Sequence, residues 1–143
     1  MPKLKYLFWA ILLFPVLALA ATYNPPYVKI YDRAFWGCPE SYNEQSLRFW
    51  FPDYAPVQKI ILYHTAGADG NQNGEAVLRS IYQNQAQTLG WGDIGYNYVL
   101  DGSGKVYEGR AGGENVIGGH LLDWNNGTLG IAGTTAPYYT IFQ

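Results

Sequence analysis

The sequence contains a single cysteine, Cys38, among its 143 residues. It therefore cannot form an intrachain disulfide, which excludes the class of small scaffolds that several disulfides hold together. We expect the Cys38 thiol to be buried and unreactive. Histidine is almost as scarce, since only His64 and His120 occur. The sequence thus offers few nitrogen and sulfur ligands for a metal such as zinc.

Long apolar runs are scarce as well. The longest, residues 6–19, follows Lys3 and Lys5 and ends near Ala20, where small residues form a cleavage site. A basic start, an apolar middle and small residues in this order are typical of a secretory signal peptide, here residues 1–20. The run is shorter than the roughly 20 residues that a membrane-spanning helix needs. We therefore predict secretion or export to the cell envelope, with no stable membrane span after cleavage.

Basic residues are outnumbered by acidic ones. Removal of the signal peptide takes away two lysines, which leaves seven basic against eleven acidic residues and changes the net charge from −2 to −4. An acidic protein binds nucleic-acid phosphates poorly, so we expect no nucleic-acid partner. Aromatic residues, in contrast, are abundant, with 13 Tyr and 5 Trp. Such rings fill cores and also line grooves that bind sugars or peptides.

The mature chain has the length of one domain. Prolines and scattered polar residues predict an extended lead-in over residues 21–32, followed by the domain over residues 33–143. A strand is predicted at 57–64, and its continuous apolar run is typical of a strand buried on both faces. Further strands are predicted at 115–118 and 128–133.

A helix is predicted from residue 73 or 74 to about residue 89, with Gly90 as its stop. Gln85 is the one polar side chain in its apolar stripe, so it must find a hydrogen-bond partner in the core or in a cleft. The stripe follows i, i+4 spacing and consists of Val77, Ile81, Gln85 and Leu89.

The central stretch of the sequence predicts a hairpin. Residues 94–100 favour a strand, Asp101 and the following glycine favour a reversal, and residues 105–108 return. Tyr96 and Asn97 are either satisfied core groups or site residues, because buried polar groups cost free energy when unpaired. The order of elements predicts an α/β fold with a mixed central β-sheet and a helix on one face. No second helix is predicted for the other face.

Five blocks of the sequence resemble, in order, the motifs of the peptidoglycan recognition protein family. Its amidase members cleave the bond between N-acetylmuramic acid and the first L-alanine of the stem peptide. The resemblance implies an amidase type 2 fold, here without the family's C-terminal helical segment, and a groove for muramyl peptides. The blocks are Arg33-x-x-Trp36-Gly37; Ile61-Leu62-Tyr63-His64-Thr65-Ala66-Gly67; Leu89-Gly90-Trp91-Gly92-Asp93-Ile94-Gly95-Tyr96-Asn97-Tyr98 with Tyr107-Glu108-Gly109-Arg110; Val116-Ile117-Gly118-Gly119-His120; and Trp124-Asn125-x-Gly127-Thr128-x-Gly130-Ile131.

In the family, a zinc ion held by two histidines and a cysteine or similar ligand activates a water molecule. The resemblance gives Tyr96 a catalytic role, a hydrogen bond to that water or to the developing oxyanion. Arginine suits a carboxylate because of its forked donors, but the residues alone leave open a surface ion pair of Arg110 with Glu108 or Glu114. The resemblance implies a set of contacts to the muramyl peptide: Arg110, His120, Asn125, Gln85 and Trp91.

The sequence departs from the family at the zinc site. Tyr63 stands at the first zinc-ligand position, where amidases have a histidine. His64 faces the other side of the strand, because side chains alternate along it, and could replace that ligand only through a bulge. The family's other two ligands would lie beyond Gln143, and Gln85 stands where amidase relatives commonly have a histidine. Zinc is expected for the family, yet these replacements predict that this chain does not bind it.

Three hypotheses follow from these observations. The first is an exported peptidoglycan-binding protein that recognises muramyl peptides without hydrolysis. The second is a truncated form of an active zinc amidase that cleaves the MurNAc–L-Ala amide bond. The third is an exported interaction protein that pairs through an exposed sheet edge.

Overall fold

The computed structural model of the chain describes residues 27–38, 48–65 and 73–134. The predicted signal peptide and the first half of the predicted lead-in, residues 21–26, lie outside these residues. The order of strands and helix confirms the predicted α/β class. The elements are β1 (Ile30–Tyr31), β2 (Lys59–His64), α1 (Gly74–Tyr82), a π-helical segment (Gln83–Thr88), β3 (Tyr98–Leu100), β4 (Val106–Glu108) and β5 (Thr128–Gly133).

Within the described residues, five strands form one mixed sheet in the order β1-β4-β3-β5-β2. β3 and β4 are antiparallel and form the predicted hairpin, whereas β1–β4, β3–β5 and β5–β2 are parallel pairs. The predicted mixed sheet is therefore confirmed. Because Ile30 pairs with Val106 and Tyr31 with Tyr107, the last residues of the predicted lead-in already belong to the sheet.

Helix α1 begins where the sequence predicts. The side-chain oxygen of Asn73 accepts a hydrogen bond from the backbone N–H of Glu75 at 3.0 Å, which satisfies a donor that the first turn leaves free. Glu75 in the first turn and Arg79 in the last turn also complement the helix dipole. After Tyr82 the chain continues as the π-helical segment, so the helical stretch ends close to the predicted position. No helix within the described ranges is long and apolar enough to cross a bilayer.

The buried stripe of the helical stretch differs from the prediction by one position. Leu89, predicted to be buried, is 53% exposed. Leu78 and Tyr82 bring large apolar side chains to the sheet, and Gly74 lets the helix approach closely. A Cβ at Gly74 would lie 2.9 Å from the ring of Tyr107. The stripe that packs on the sheet consists of Gly74, Leu78, Tyr82 and Ala86.

The core lies between the helical stretch and one face of the sheet. Val99 and Tyr107 face each other across the β3–β4 pair and contribute to this core. Cys38 is buried as expected, and burial raises the pKa of its thiol although the neighbouring Arg33 opposes the shift. The buried apolar cluster comprises Trp36, Cys38, Leu78, Tyr82, Ala86, Ile94, Val99 and Tyr107.

The opposite face of the sheet is largely open to solvent. Ile60 is 60% exposed and Leu62 is 75% exposed, so the prediction that this strand is buried on both faces is wrong. Their partners on β5, Leu129 and Ile131, are only half-buried. A continuous apolar run indicates burial on two faces only when a layer covers each face, and the helical stretch packs on the other one.

Two predicted strands are shorter in the structure. Residues 94–97 do not belong to β3. The N–H of Gly95 donates to the Gln85 side chain and its carbonyl accepts from Gly119, although the N–H of Asn97 still donates to Gly130 of β5. At residues 115–118 the predicted strand is reduced to an isolated bridge between Tyr54 and Val116. The sequence therefore locates these segments correctly but overestimates their strand length.

Candidate functional site

Tyr63, Tyr96 and His120 meet beside strand β2, and we call this group the tyrosine-histidine cluster. The hydroxyl of Tyr63 lies 3.1 Å from Nδ1 of His120. The rings of Tyr63 and His120 stand edge to face with centroids 5.5 Å apart, and the rings of Tyr63 and Tyr96 are 5.4 Å apart. All three side chains are half-buried, so the core orients them while part of each remains accessible.

Two glycines make room for the His120 ring. A Cβ at Gly130, on strand β5, would overlap the imidazole, and a Cβ at Gly118 would lie 2.8 Å from its Cδ2. Real Cβ atoms do not approach other heavy atoms this closely, so any larger residue at either position would push the ring away. The glycines therefore define where the imidazole lies.

Asn125 holds the loop that follows His120. Its side-chain oxygen accepts hydrogen bonds from the backbone N–H groups of His120 at 2.9 Å and Leu121 at 2.7 Å. The hydroxyl of Thr128 closes the loop by donating to the backbone carbonyl of Asn125 at 2.9 Å. The ligand contact that the resemblance implies for Asn125 would thus have to come from its side-chain nitrogen.

Gln85 and Asn97 hold the backbone on either side of Tyr96. The side-chain oxygen of Gln85 accepts a hydrogen bond from the N–H of Gly95 at 2.8 Å. Asn97 is 3% exposed, and its side-chain oxygen accepts from the N–H of Gly130 at 2.8 Å. Asn97 is therefore a satisfied core group, and Gln85 finds the partner that its polar position required.

Trp91 lies next to this backbone and keeps an open surface. Its side chain is 44% exposed, and a Cβ placed on Gly95 would lie 3.2 Å from its ring. The indole therefore packs on the segment that carries Tyr96 and still offers a flat apolar face to solvent. The groove contact that the resemblance implies for Trp91 stays a prediction.

Arg110 does not lie in the cleft. It is fully buried, its Nη1 donates to Asp93 at 2.9 Å, and its Nη2 donates to the carbonyl of Trp50. Its guanidinium also stacks on the Trp50 ring at 4.2 Å. The predicted groove contact is therefore corrected to a structural role, because the guanidinium has no open surface. Its acidic partner is Asp93, not Glu108 or Glu114.

Asp93 is the centre of a network that sequence reasoning missed. One carboxylate oxygen accepts from Arg33 at 3.0 Å and from the N–H of Ile94 at 2.8 Å. The other accepts from Arg110 and from the N–H of Ala111 at 2.8 Å. Two features of the sequence could have indicated this network. Asp93 is an acidic residue in an apolar motif, and Arg33 opens the first block.

Burial disfavours the charged forms of Tyr63 and His120. Burial lowers the pKa of His120, an effect that the Thr128 backbone partly opposes. Burial, and next the neighbouring Tyr96, raises the pKa of Tyr63. Nε2 of His120 is buried and has no well-aligned hydrogen-bond partner among the described residues. The Tyr63–His120 contact is thus a hydrogen bond between neutral groups.

The described residues do not fit the zinc site that the family implies. His64 is exposed on the sheet face opposite Tyr63, and Cys38 lies in the core with its sulfur 3.3 Å from Arg33. A phenol with a raised pKa is a poor zinc ligand at neutral pH. Among the described residues, no three His, Cys, Asp or Glu side chains come together as a metal site.

The mixed sheet, the helix on one face and the cluster beside β2 together define an amidase-like α/β domain. The family model described as N-acetylmuramoyl-L-alanine amidase, Amidase_2, matches residues 53–137. The chain therefore belongs to this family, as the sequence blocks predicted.

Curated relatives are named as peptidoglycan recognition proteins. Peptidoglycan-recognition protein SC2 of Drosophila melanogaster is 36% identical over 107 residues, which cover 73% of this chain and 54% of that protein. Peptidoglycan recognition protein 1 of Bos taurus is 33% identical over 106 residues, which cover 72% of this chain and 52% of that protein. The chain thus spans about half the length of the curated relatives it matches.

Solved structures show the same fold. Bumblebee PGRP-SA superimposes with a TM-score of 0.62 at 29% identity, covering 76% of this chain and 62% of that one. Peptidoglycan recognition protein-LE, solved in complex with tracheal cytotoxin, superimposes with a TM-score of 0.63 at 27% identity, covering 75% of this chain and 60% of that one. These superpositions confirm the predicted fold.

Proposed function

We propose that this chain is an exported peptidoglycan-binding protein that recognises muramyl peptides without hydrolysing them. The observation that carries the proposal is the Tyr63–His120 hydrogen bond of 3.1 Å. It occupies the position that the resemblance assigns to the first zinc ligand. The cleft therefore offers hydrogen-bonding groups where an amidase offers a metal ion.

The relatives support this class of ligand. The curated ones are named for peptidoglycan recognition, and the ligand bound to protein-LE is described as monomeric diaminopimelic acid-type peptidoglycan. In this chain, Tyr96 and His120 would supply polar contacts and Trp91 an apolar surface. Gln85 and Asn125 would act mainly by holding the backbone around those side chains.

A pull-down on insoluble peptidoglycan tests the proposal. The unmutated chain should sediment with the polymer, and Trp91→Ala should weaken binding roughly tenfold, as is common for an exposed aromatic contact. Phe35→Ala is the matched control, because Phe35 is 49% exposed but packs on Tyr31 beside the far edge strand β1. Failure of the folded, unmutated chain to bind would refute the proposal.

The alternative function is zinc-dependent cleavage of the MurNAc–L-Ala amide, which the description of the matching family favours. It requires a metal, and the described residues do not fit one. Metal analysis of the purified full-length chain separates the two functions. We expect substoichiometric zinc even after incubation with zinc salts. One tightly held zinc ion per chain would favour the amidase.

Export is proposed from residues 1–20 alone, because basic residues, an apolar run and small residues follow one another there. N-terminal sequencing of the protein released by expressing cells should begin at Ala21. Retention of the uncleaved chain inside the cells would contradict export and would leave the ligand proposal to be tested separately.

A further inference from the structure

The family mechanism does not explain the side chain of Tyr63. Tyr63 lies near the end of β2 and pairs across the sheet with Ala132, so it points to the face that the helical stretch covers. It is nevertheless only half-buried. Its hydroxyl lies 3.1 Å from Nδ1 of His120, a side chain that is itself only half-buried.

The position of this hydroxyl is fixed in advance of any ligand. The Tyr63 ring is in contact with His120 on one side and with Tyr96 on another, at centroid distances of 5.5 and 5.4 Å. His120 in turn has its place defined by Gly130 and by the loop that Asn125 holds. A group held in this way loses little conformational entropy when a ligand binds.

The hydroxyl also has hydrogen-bonding capacity to spare. A phenol has one donor and acceptor lone pairs, and the bond to His120 uses only part of them. A phenol and an imidazole can each donate and accept hydrogen bonds, so Tyr63 and His120 complement amide and hydroxyl groups, which do the same. Tyr96 adds a second phenol next to the first. The two phenol rings lie side by side, with centroids 5.4 Å apart.

We propose that the Tyr63 hydroxyl, positioned by His120 and adjacent to Tyr96, is a direct and specificity-determining ligand contact. It binds the uncharged amide and hydroxyl groups where the sugar of a muramyl peptide joins its first amino acid. Tyr63 thereby replaces metal coordination by hydrogen bonding. The inference rests on the proposed function. It assigns a role to the tyrosine that stands where amidases have a zinc-binding histidine.

The test removes one hydroxyl and keeps the ring. Binding of a synthetic muramyl tripeptide is measured by isothermal titration calorimetry for the unmutated full chain, for Tyr63→Phe and for Tyr98→Phe. Tyr98 is the matched control, because it is also a half-buried tyrosine but lies on strand β3 and faces the open side of the sheet. We expect roughly threefold to tenfold weaker binding for Tyr63→Phe, the usual worth of one hydrogen bond. We expect no change for Tyr98→Phe.

The thermal unfolding midpoint of each variant shows whether a loss of affinity comes from a lost ligand contact or from a destabilised fold. A loss of affinity confined to Tyr63→Phe, with unfolding midpoints equal to that of the control variant, supports the inference. Unchanged affinity of Tyr63→Phe overturns it and leaves the proposed function standing. An equal loss of affinity and stability in both variants also overturns it. No binding by the unmutated chain refutes the proposed function, and the inference with it.

Discussion

Asp93 carries a negative charge in the core and is fully buried. Two guanidinium groups, those of Arg33 and Arg110, and two backbone N–H groups donate to it. Burial of an unpaired carboxylate costs several kcal/mol, so these donors are required for the fold to tolerate it. The network ties the turn after β1 and the loop after β4 to the segment that leads to Tyr96.

We predict that Asp93→Asn lowers the free energy of unfolding by about 3–5 kcal/mol, because it leaves two buried guanidinium groups without their counter-charge. Urea-induced unfolding measures the change. Asp123→Asn is the control, since Asp123 is exposed and its φ of 66° suits asparagine equally well. The control should change stability by less than about 0.5 kcal/mol. If both variants lowered the free energy of unfolding equally, the carboxylate of Asp93 would not be the required partner of the two arginines.

Asp101, at the hairpin turn, gives the stability a specific pH dependence. Burial alone would raise the pKa of its carboxyl, but hydrogen bonds from Ser103, Tyr107 and two backbone N–H groups outweigh it and lower the pKa. A lowered carboxyl pKa stabilises the fold above the unfolded value of about 3.9, and this contribution is lost as the pH falls through the folded pKa. Asp101→Asn should therefore reduce the loss of stability on acidification from pH 5 to lower values, measured by urea unfolding.

The pKa of Glu108 is shifted in the opposite direction, so this residue is a control for Asp101. Burial raises the pKa of its carboxyl, although Arg33 and the N–H of Gly113 oppose the shift. The folded state then holds the proton more tightly, so this residue destabilises the fold as the pH rises through the raised pKa. Glu108→Gln should leave the stability at acid pH unchanged and increase the stability at neutral pH. The same direction of change in both variants would contradict these assignments.

The role of a single residue could be predicted only where that role depends on the residue's own sequence motif. The motifs indicated Tyr96 and His120, and the structure brings them together. The partner of Arg110 could not be found, because Glu108 and Glu114 are nearer in sequence than Asp93. The Tyr63 contact to His120 joins positions 57 residues apart, which no spacing rule connects.

At the scale of single elements, strand β5 acts as the support of the His120 ring. Gly130 lies beneath the imidazole, and Gly133 lies three residues further along the same strand. The two glycines therefore differ in what a side chain would meet. At Gly133 the nearest atom to a new Cβ is the backbone oxygen of Tyr63 at 3.8 Å, an ordinary contact.

We predict that Gly130→Ala lowers the free energy of unfolding by about 1–3 kcal/mol, because the added methyl group displaces the His120 ring. It should also weaken binding of the muramyl tripeptide, since the Tyr63 hydroxyl loses its partner. Gly133→Ala should be nearly neutral in both measurements. Unfolding and calorimetric titration of the two variants give the comparison, and equivalence of the two would show that the ring is not held as described.

The two faces of the sheet should differ sharply in their sensitivity to truncation. Leu78 of α1 is fully buried, so Leu78→Ala should cost about 2–5 kcal/mol of stability. Leu62 of β2 is 75% exposed, so Leu62→Ala should cost less than about 1 kcal/mol. Urea unfolding of both variants checks the difference. Similar costs would mean that another part of the molecule covers the open face.

The sequence predicted which elements form, but not how the helix is rotated. Two neighbouring stripes of α1 have the same i, i+4 spacing, and periodicity alone cannot choose between them. The choice depends on the large side chains Leu78 and Tyr82 and on the close approach at Gly74, which become visible only when the helix meets the sheet. The exposed apolar run of β2 was misjudged for the same reason, because burial depends on what packs against a strand.

Considered as a whole molecule, the described part of the chain combines a core on one sheet face with a half-buried cluster of polar rings beside β2. The chain matches its curated relatives over about half of their length. The part that the family model matches, residues 53–137, includes the cluster of Tyr63, Tyr96 and His120. We propose that this part recognises a muramyl peptide and leaves its amide bond intact.

Equilibrium dialysis of the purified full chain against a synthetic muramyl tripeptide, followed by mass spectrometry of both compartments, tests this claim most directly. We expect the ligand to be enriched on the protein side and recovered with its original mass, also in the presence of a metal chelator. Equal concentrations on both sides, or recovery of the free sugar acid and the released peptide, would contradict it.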